Sequence, residues 1–502
     1  MSPRKVRFYV WVFCLLWCLL IAVQFYYFVL RGRRGSVEEK GSAVSYGVDT
    51  ETCRIPSSDP LDFKTRQRLF GSYSPRCEAP LDRRAIFGTR IVLDRSCPEL
   101  LEDILLLDYD VSVSQITCSY IGFAQEEIVP DYLLTGSLPE HLRRPLTNGD
   151  CPQFDALWIE CSLPNGRSVK QPLLLARSAV SEGAENFDVN FLNVIVVGIS
   201  SLSRLTFRRT MPTTYQKLTA DLEQRQELYG YSRIGKTSIA NRMPLLTGKA
   251  YDSEPLPKEY FDNWTRYIWD EMAEYGFTTF FAEETPSRGM FTANGRKGFL
   301  DFPTSFYPQP FLESIEKAYK NQTCVFGKPR AKFLLDYLFD AVVLHADKSP
   351  FFGYVWLDQL STAHPSGPLF LDEVLSEFID SLRLSGLLQF TVLMLVSDHG
   401  STNGPLTGTD QGALEENLPL GFMSVPKLVD PYESEKLSDL RQFRNLVNTY
   451  RLVTPYDLHA SMLQLCHGRR AKNHKGISLI TNALPKERTC DSAAVPPEFC
   501  PC

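Results

Sequence analysis

The chain has 502 residues and a formal net charge of −6, with 44% hydrophobic, 12% aromatic and 22% charged residues. At roughly 150 residues per domain this is too long for one ordinary core and predicts two or three units. The apolar fraction excludes a disordered chain, and an acidic balance with no long basic block beyond the N-terminus excludes the electrostatic footprint of nucleic-acid binding.

In chain order, residues 1–7 predict a short cytoplasmic tail, and 8–30 form an apolar stretch whose only strongly polar member is Gln24. That stretch is long enough for one helix across a bilayer and longer than the roughly 7–15-residue core of a cleaved signal peptide, so it predicts an uncleaved signal anchor. Basic residues flank it on both sides: Arg4, Lys5 and Arg7 before, Arg31, Arg33 and Arg34 after. Charge therefore leaves the orientation open. The cysteines decide it. Of 13, only Cys14 and Cys18 lie in the span, and the density of those that follow suits an oxidising compartment. Asn263-Trp264-Thr265 and Asn321-Gln322-Thr323 match the glycosylation pattern at Asn263 and Asn321. Together these predict a single-pass type II glycoprotein with its bulk in the secretory lumen (the Golgi included) or outside the cell. Eleven cysteines beyond the span is an odd number, so one thiol is free or pairs with another chain.

Residues 31–52 are Gly/Ser-rich and charged and read as a stem. Over 53–185 six cysteines and short alternating runs, at 85–93 and 156–161, predict a small β-rich region tied by disulfides. From 186 to 468 strand and helix patterns alternate. Strands are expected at 194–197, 278–281, 352–357 and 391–396, with helices near 215–227, 264–275, 331–344 and 370–384. This rhythm predicts an α/β fold with a mostly parallel sheet flanked by helices. Residues 469–502 form a Cys-containing tail.

In open α/β sheets ligands bind at the carboxyl ends of the strands. Here those ends carry Gly198-Ile199-Ser200-Ser201, Ala282-Glu283-Glu284-Thr285, Asp358 with Ser361-Thr362-Ala363-His364, and Ser397-Asp398-His399-Gly400. Asp398 and His399 side by side can hold a divalent metal. Lys236-Thr237-Ser238 runs into a helical pattern, where a helix N-terminus favours an anion or a forming alkoxide. A hydroxyl nucleophile beside a metal and an anion pocket suits displacement at phosphorus or sulfur. An ordinary N-cap is the commoner role for such a hydroxyl.

The order of 198–204, Asn241-Arg242-Met243-Pro244-Leu245-Leu246-Thr247-Gly248, Ser397-Asp398-His399-Gly400 and Thr454-Pro455-Tyr456-Asp457-Leu458-His459-Ala460 resembles an animal family called domain of unknown function 229. That family belongs to the alkaline-phosphatase/sulfatase superfamily, and the resemblance covers roughly 50–502, together with the type II anchor. It implies metal ligation by Asp398 and His399, a nucleophile at Ser238 with Thr237 beside it, and contact of His364 with the substrate's anionic oxygens. His459 lies in a helical pattern and reads as structural.

Three positions depart from the family pattern. Ser200 stands where an Asp ligand is expected, Lys236 replaces an acidic residue, and Ser401-Thr402-Asn403 follow where an Arg is usual. Two readings follow. One is a metal-dependent hydrolase or transferase acting on a phosphate or sulfate ester with zinc, manganese or calcium, the metal weakened by Ser200. The other is an inactive ectodomain that binds an anion or glycan, with Lys236 as the anion-binding cation.

Overall fold

The computed structural model describes residues 45–502 apart from 62–64, 66–84, 88–104, 108–116, 124–141, 147–153, 163–165, 167, 177–191, 221–224, 253–254, 320–323, 326–327, 347, 365, 427–445, 468–474 and 481–482. The apolar stretch 8–30 and Asn321 lie outside the described residues. Among the described residues no helix is long and apolar enough to cross a membrane.

Tyr46–Cys502 form one compact unit. Its first sheet has four antiparallel strands, β1 (Thr117–Phe123), β2 (Arg144–Leu146), β3 (Ala156–Ser162) and β4 (Ser168–Leu174), in the order β2-β1-β3-β4. Cys118 and Cys161 are register partners on β1 and β3 and are joined by a disulfide.

The second sheet is built from β5 (Asn193–Ile199), β6 (Arg225–Glu227), β7 (Thr278–Glu283), β8 (Phe351–Leu357), β9 (Thr391–Val396) and β10 (Gly421–Ser424). Their order is β6-β10-β9-β5-β8-β7. Strands β9, β5, β8 and β7 run parallel, whereas β10 is antiparallel to both its neighbours. The four expected strands are the four parallel ones. Their unbroken apolar runs follow from burial on both faces.

Strand periodicity assigns each residue to a layer. Ile195, Val197, Leu393 and Leu395 face the layer of α6 (Arg330–His345) and α8 (Leu369–Leu384). Val194, Val196, Val392 and Met394 face the layer of α3 (Ser238–Thr247), α4 (Ile268–Glu274) and α10 (Pro455–His467). Each such side chain contributes about 1.5–3 kcal/mol of transfer free energy. The small sheet joins the first layer through aromatic contact: Phe123 and Trp158 each lie 5.9 Å from Phe311 of α5 (Gln309–Ala318).

One expected helix is corrected. The pattern over 215–227 is a short helix, α2 (Pro212–Thr219), and then the edge strand β6. Glu227 on that strand is buried, where it accepts from Arg204 Nη1 at 3.1 Å and Tyr215 Oη at 3.2 Å. Both β6 and β10 escaped a local reading because three and four residues are too few to show a strand period. Helix α4 also starts later than the 264–275 pattern, at a capping box in which the Tyr267 amide donates to Asp270 Oδ2 at 2.8 Å.

The chain ends are tied to α10. Arg488 donates to both oxygens of Asp457 at 2.9 Å, and both side chains are buried. Disulfides Cys53–Cys502 and Cys490–Cys500 close the same corner. Cys324 is also disulfide-bonded. Among the described cysteines the free one is Cys466, and burial, helped by Glu271, pushes its thiol up to about 12. Such a buried thiol is inert.

Candidate active site at the strand ends

Asp398 is the hub. It follows β9 directly and is fully enclosed. Its Oδ1 accepts from the Ser201 amide at 2.9 Å and from the His399 amide at 3.0 Å. Its Oδ2 lies 3.5 Å from Ser200 Oγ, and the Ser238 hydroxyl is close enough to help stabilise the same carboxylate. Burial alone would raise this carboxyl, but His399, the Ser238 hydroxyl, the Ser201 amide and the nearby Arg242 outweigh it and hold it below the usual carboxylate range. The group is therefore ionised. Ser201 has φ +56°, an uncommon conformation for a side-chain-bearing residue, and the Asp398 bond holds it there.

His399 Nδ1 lies 2.7 Å from the Gly400 carbonyl. A carbonyl only accepts, so Nδ1 carries a proton, and Nε2 offers a lone pair when the ring is neutral. That Nε2 lies 3.6 Å from Asp398 Oδ2. Two Lewis bases at that separation fit one divalent ion, since metal–ligand distances are about 2.0–2.2 Å. The turn after them requires glycine: a Cβ on Gly400 would come within 2.1 Å of the Glu415 carbonyl.

Ser238 opens α3, and Thr237 is its N-cap residue but makes no side-chain capping bond. The ordinary N-cap role is therefore not what Thr237 does. The preceding loop is organised instead by Asn241, whose carboxamide accepts from the Ile234 and Gly235 amides and donates to the Gly235 and Thr237 carbonyls. The first turn keeps its N–H groups available, with Lys236 exposed beside it.

Ser200 does not stand open. Its hydroxyl accepts from Trp356 Nε1 at 3.0 Å, which places an indole N–H donor beside the position of the expected carboxylate. Gly198 makes room for that indole, because a Cβ there would sit 1.7 Å from the Trp356 ring. Arg242 lies over the same indole at 4.1 Å, donates from Nε to Tyr354 Oη at 3.1 Å, and pairs with buried Glu283. Burial works against its charge, and Tyr354 with Glu283 outweighs that cost.

The structure thus brings Ser200, Ser238, Asp398 and His399 to one point. His364 caps the end of α7 (Gln359–Ala363), and its Nδ1 accepts from the Ser366 amide at 3.1 Å. Its turn adjoins the others, since Ser361 and Ser366 line the same cavity as Ser201 and Ser401. His459 pairs Nδ1 with the Leu245 carbonyl of α3 at 3.0 Å. Asn263 is exposed in a turn with φ +53°. Trp356 and Arg242 were missed by sequence reading. Arg242 had a signal, being a charged residue directly before the apolar run Met243–Leu246 of its helix, as had Glu283 directly after Phe280-Phe281-Ala282.

Beside the hub, Asp358 and Glu284 form a carboxyl pair. Glu284 Oε2 accepts from the Asp358 and Gln359 amides at 2.8 and 2.9 Å. Glu284 Oε1 and Asp358 Oδ1 are buried with no hydrogen-bond partner among the described residues. Burial and then Glu284 push Asp358 up to about 7, against the pull of Arg288, 2.9 Å away. A folded value above the ordinary one of 3.8 means this group stabilises the fold at low pH, and the contribution is lost as pH rises from about 4 to 7. Asp358→Asn is expected to be more stable than wild type by about 1–2 kcal/mol at pH 8, with the difference vanishing near pH 4. Urea unfolding at both pH values checks this, and parallel curves would exclude it.

Residues 145–502 match the family described as "Protein of unknown function (DUF229)". No curated protein matches the sequence. Among solved structures, an alkaline-phosphatase-superfamily protein from Vibrio parahaemolyticus aligns at 16% identity, covering 60% of this chain and 73% of that one with a TM-score of 0.41. The lipoteichoic acid synthase LtaP from Listeria monocytogenes aligns at 11%, covering 59% and 79% with a TM-score of 0.37. The C-terminal periplasmic domain of EptC from Escherichia coli, in complex with Zn, aligns at 13%, covering 59% and 88% with a TM-score of 0.38. With most of its length matched and the Asp-His-Gly turn on the hub of the site, the chain belongs to the DUF229 family.

Proposed function

We propose that the protein is a metal-dependent hydrolase or transferase of phosphate or sulfate esters, with a reduced metal site. The observation that carries this reading is the approach of the Ser238 hydroxyl to Asp398, close enough to help lower that carboxyl, at the start of a helix whose N-cap residue makes no side-chain bond. Asp398, the unprotonated His399 Nε2 and the Ser238 oxygen would hold the ion, which when bound supplies Lewis acidity that favours the Ser238 alkoxide. The uncapped amides of α3 and exposed Lys236 would bind the anionic ester. Asp398 orients the Ser238 hydroxyl, and His364 would steady the ester oxygens from the neighbouring turn. Ser238 would give up its proton as its oxygen attacks phosphorus or sulfur. The ester's P–O or S–O bond would break and its alcohol leave with a proton from solvent, and water or an acceptor hydroxyl would then displace the serine oxygen to release the product.

A second reading, an inactive domain that binds an anion or glycan, is favoured by the bond from Trp356 to Ser200. It takes up the position of a third strong ligand. Among the described residues no group of three His, Cys, Asp or Glu ligands gathers at Asp398. Lumenal location and the type II anchor belong to the same proposal.

Metal content of the purified domain and turnover of nitrophenyl phosphate, phosphodiester and sulfate esters separate the two. Turnover that requires zinc, manganese or calcium and falls about 1,000-fold or more in Ser238→Ala supports the enzyme. Turnover untouched by that substitution removes Ser238 from its role. No bound metal and no turnover leaves the binding domain.

A further inference from the structure

A cavity of about 240 Å³ adjoins the strand-end turns, and its wall is shared by three of them: Ser201 follows Ser200, Ser361 and Ser366 flank His364, and Ser401 follows Gly400. The volume is below the roughly 300–1,000 Å³ of drug-sized pockets and suits one six-membered ring.

Charge is cancelled inside it. Among the described residues the only ionisable side chains on the wall are Arg209 and Glu415, and they face each other through Nη1 to Oε1 at 2.9 Å and Nη2 to Oε2. Both are almost wholly buried. An anionic ligand would have to break this two-pronged pair, at the cost of leaving a buried charge alone. A neutral ligand would not.

Neutral does not mean featureless. Leu61, Pro368, Leu369, Pro405 and Leu406 provide an aliphatic wall. Between them stand the Ser201 and Ser366 hydroxyls and the Asn403 carboxamide, for which the structure describes no intramolecular side-chain bond. Leu61 is brought there by Arg209, whose Nη1 also donates to the Pro60 carbonyl at 3.3 Å. An aliphatic wall interrupted by open hydroxyl and amide groups complements a ring with C–H faces and a rim of hydroxyls.

We infer that this cavity is a subsite for an uncharged pyranose, the part of the substrate that carries the reacting ester. As a substrate assignment this rests on the ester-transfer reading above, although binding to the cavity does not. The substrate class is then a sugar ester whose charge is confined to the group at Ser238, with no second anionic substituent on the ring in the cavity.

The test uses the full chain without added metal. Methyl β-galactoside, methyl α-mannoside and methyl β-glucuronide serve as ligands, with saturation-transfer NMR as the readout. At least one neutral glycoside is expected to bind saturably and the glucuronide at least about 10-fold more weakly. Thr407→Trp, on the exposed loop that walls the cavity, should weaken the neutral glycoside by about 10-fold or more, and Asn403→Ala by about 3-fold to 10-fold. Asn403→Ala keeps the question open to refutation should Thr407→Trp fail to fold. The subsite is overturned when no neutral glycoside saturates, when the glucuronide binds as well, or when neither substitution weakens binding. A protein without metal or turnover that still binds the glycoside sinks only the enzyme reading. Turnover of nitrophenyl esters without glycoside binding sinks only the subsite.

Discussion

Replacing Arg242 with alanine is expected to cost about 3–5 kcal/mol of stability, which is much of what a domain has. The guanidinium is sealed between the Trp356 indole and Tyr354 and pairs with Glu283, itself almost wholly buried. Without it, Glu283 keeps only the Met290 amide, at 2.8 and 3.0 Å from its two oxygens, as a donor. A buried carboxylate with one donor must be desolvated without compensation or take up a proton. Arg242→Met with Glu283→Gln removes both charges and keeps an acceptor for the Met290 amide. That double variant should recover at least about half of the loss, a coupling energy near 2 kcal/mol in urea unfolding. Additive losses would show that the two side chains do not act as a pair. Asp398 should change with them, because the nearby Arg242 helps hold its carboxyl ionised.

Ser200→Asp is expected to lower stability by about 2–4 kcal/mol in the absence of metal and to tighten metal binding by about 10-fold to 100-fold. The new carboxylate would stand beside Asp398 Oδ2, which already lies 3.5 Å from Ser200 Oγ. Two enclosed carboxylates repel, and only one donor, the Trp356 indole, is in place to meet the second. A divalent ion would turn that repulsion into ligation. At a concentration 100 times its dissociation constant it adds about 2.7 kcal/mol. Thermal unfolding with and without zinc or manganese reads both effects. A variant that is destabilised but responds to metal no more than wild type would move the metal site away from Asp398. Wild type is expected to respond weakly, since a hydroxyl that already hydrogen-bonds an indole is a poor substitute for a hard, charged ligand.

How far a sequence reading carries depends on the range of the forces involved. The four parallel strands were legible because burial on both faces writes itself into each segment as an uninterrupted apolar run, as in Thr391–Val396. Local order likewise exposed the Asp398–His399 pair, the hydroxyls at the start of α3 and the odd cysteine count, although only the structure shows that Cys466 is the free one among the described cysteines. Edge strand β6 and its neighbour β10 left no such mark, because runs of three and four residues are too short to show a period.

The candidate site divides the same way. Residue types at the strand ends and the family resemblance together nominated Ser200, Ser238, His364, Asp398 and His399, and the resemblance marked Ser200 as a lost charge. Packing alone supplied what replaces it: the Trp356 indole laid across Gly198, Arg242 stacked above, and Glu283 neutralising Arg242. Those contacts join side chains from separate strands and a helix, and no periodicity within one segment encodes which of them will meet. The neutral cavity beside the hub has the same origin, since cancellation of Arg209 by Glu415 spans two helices and is invisible in either alone.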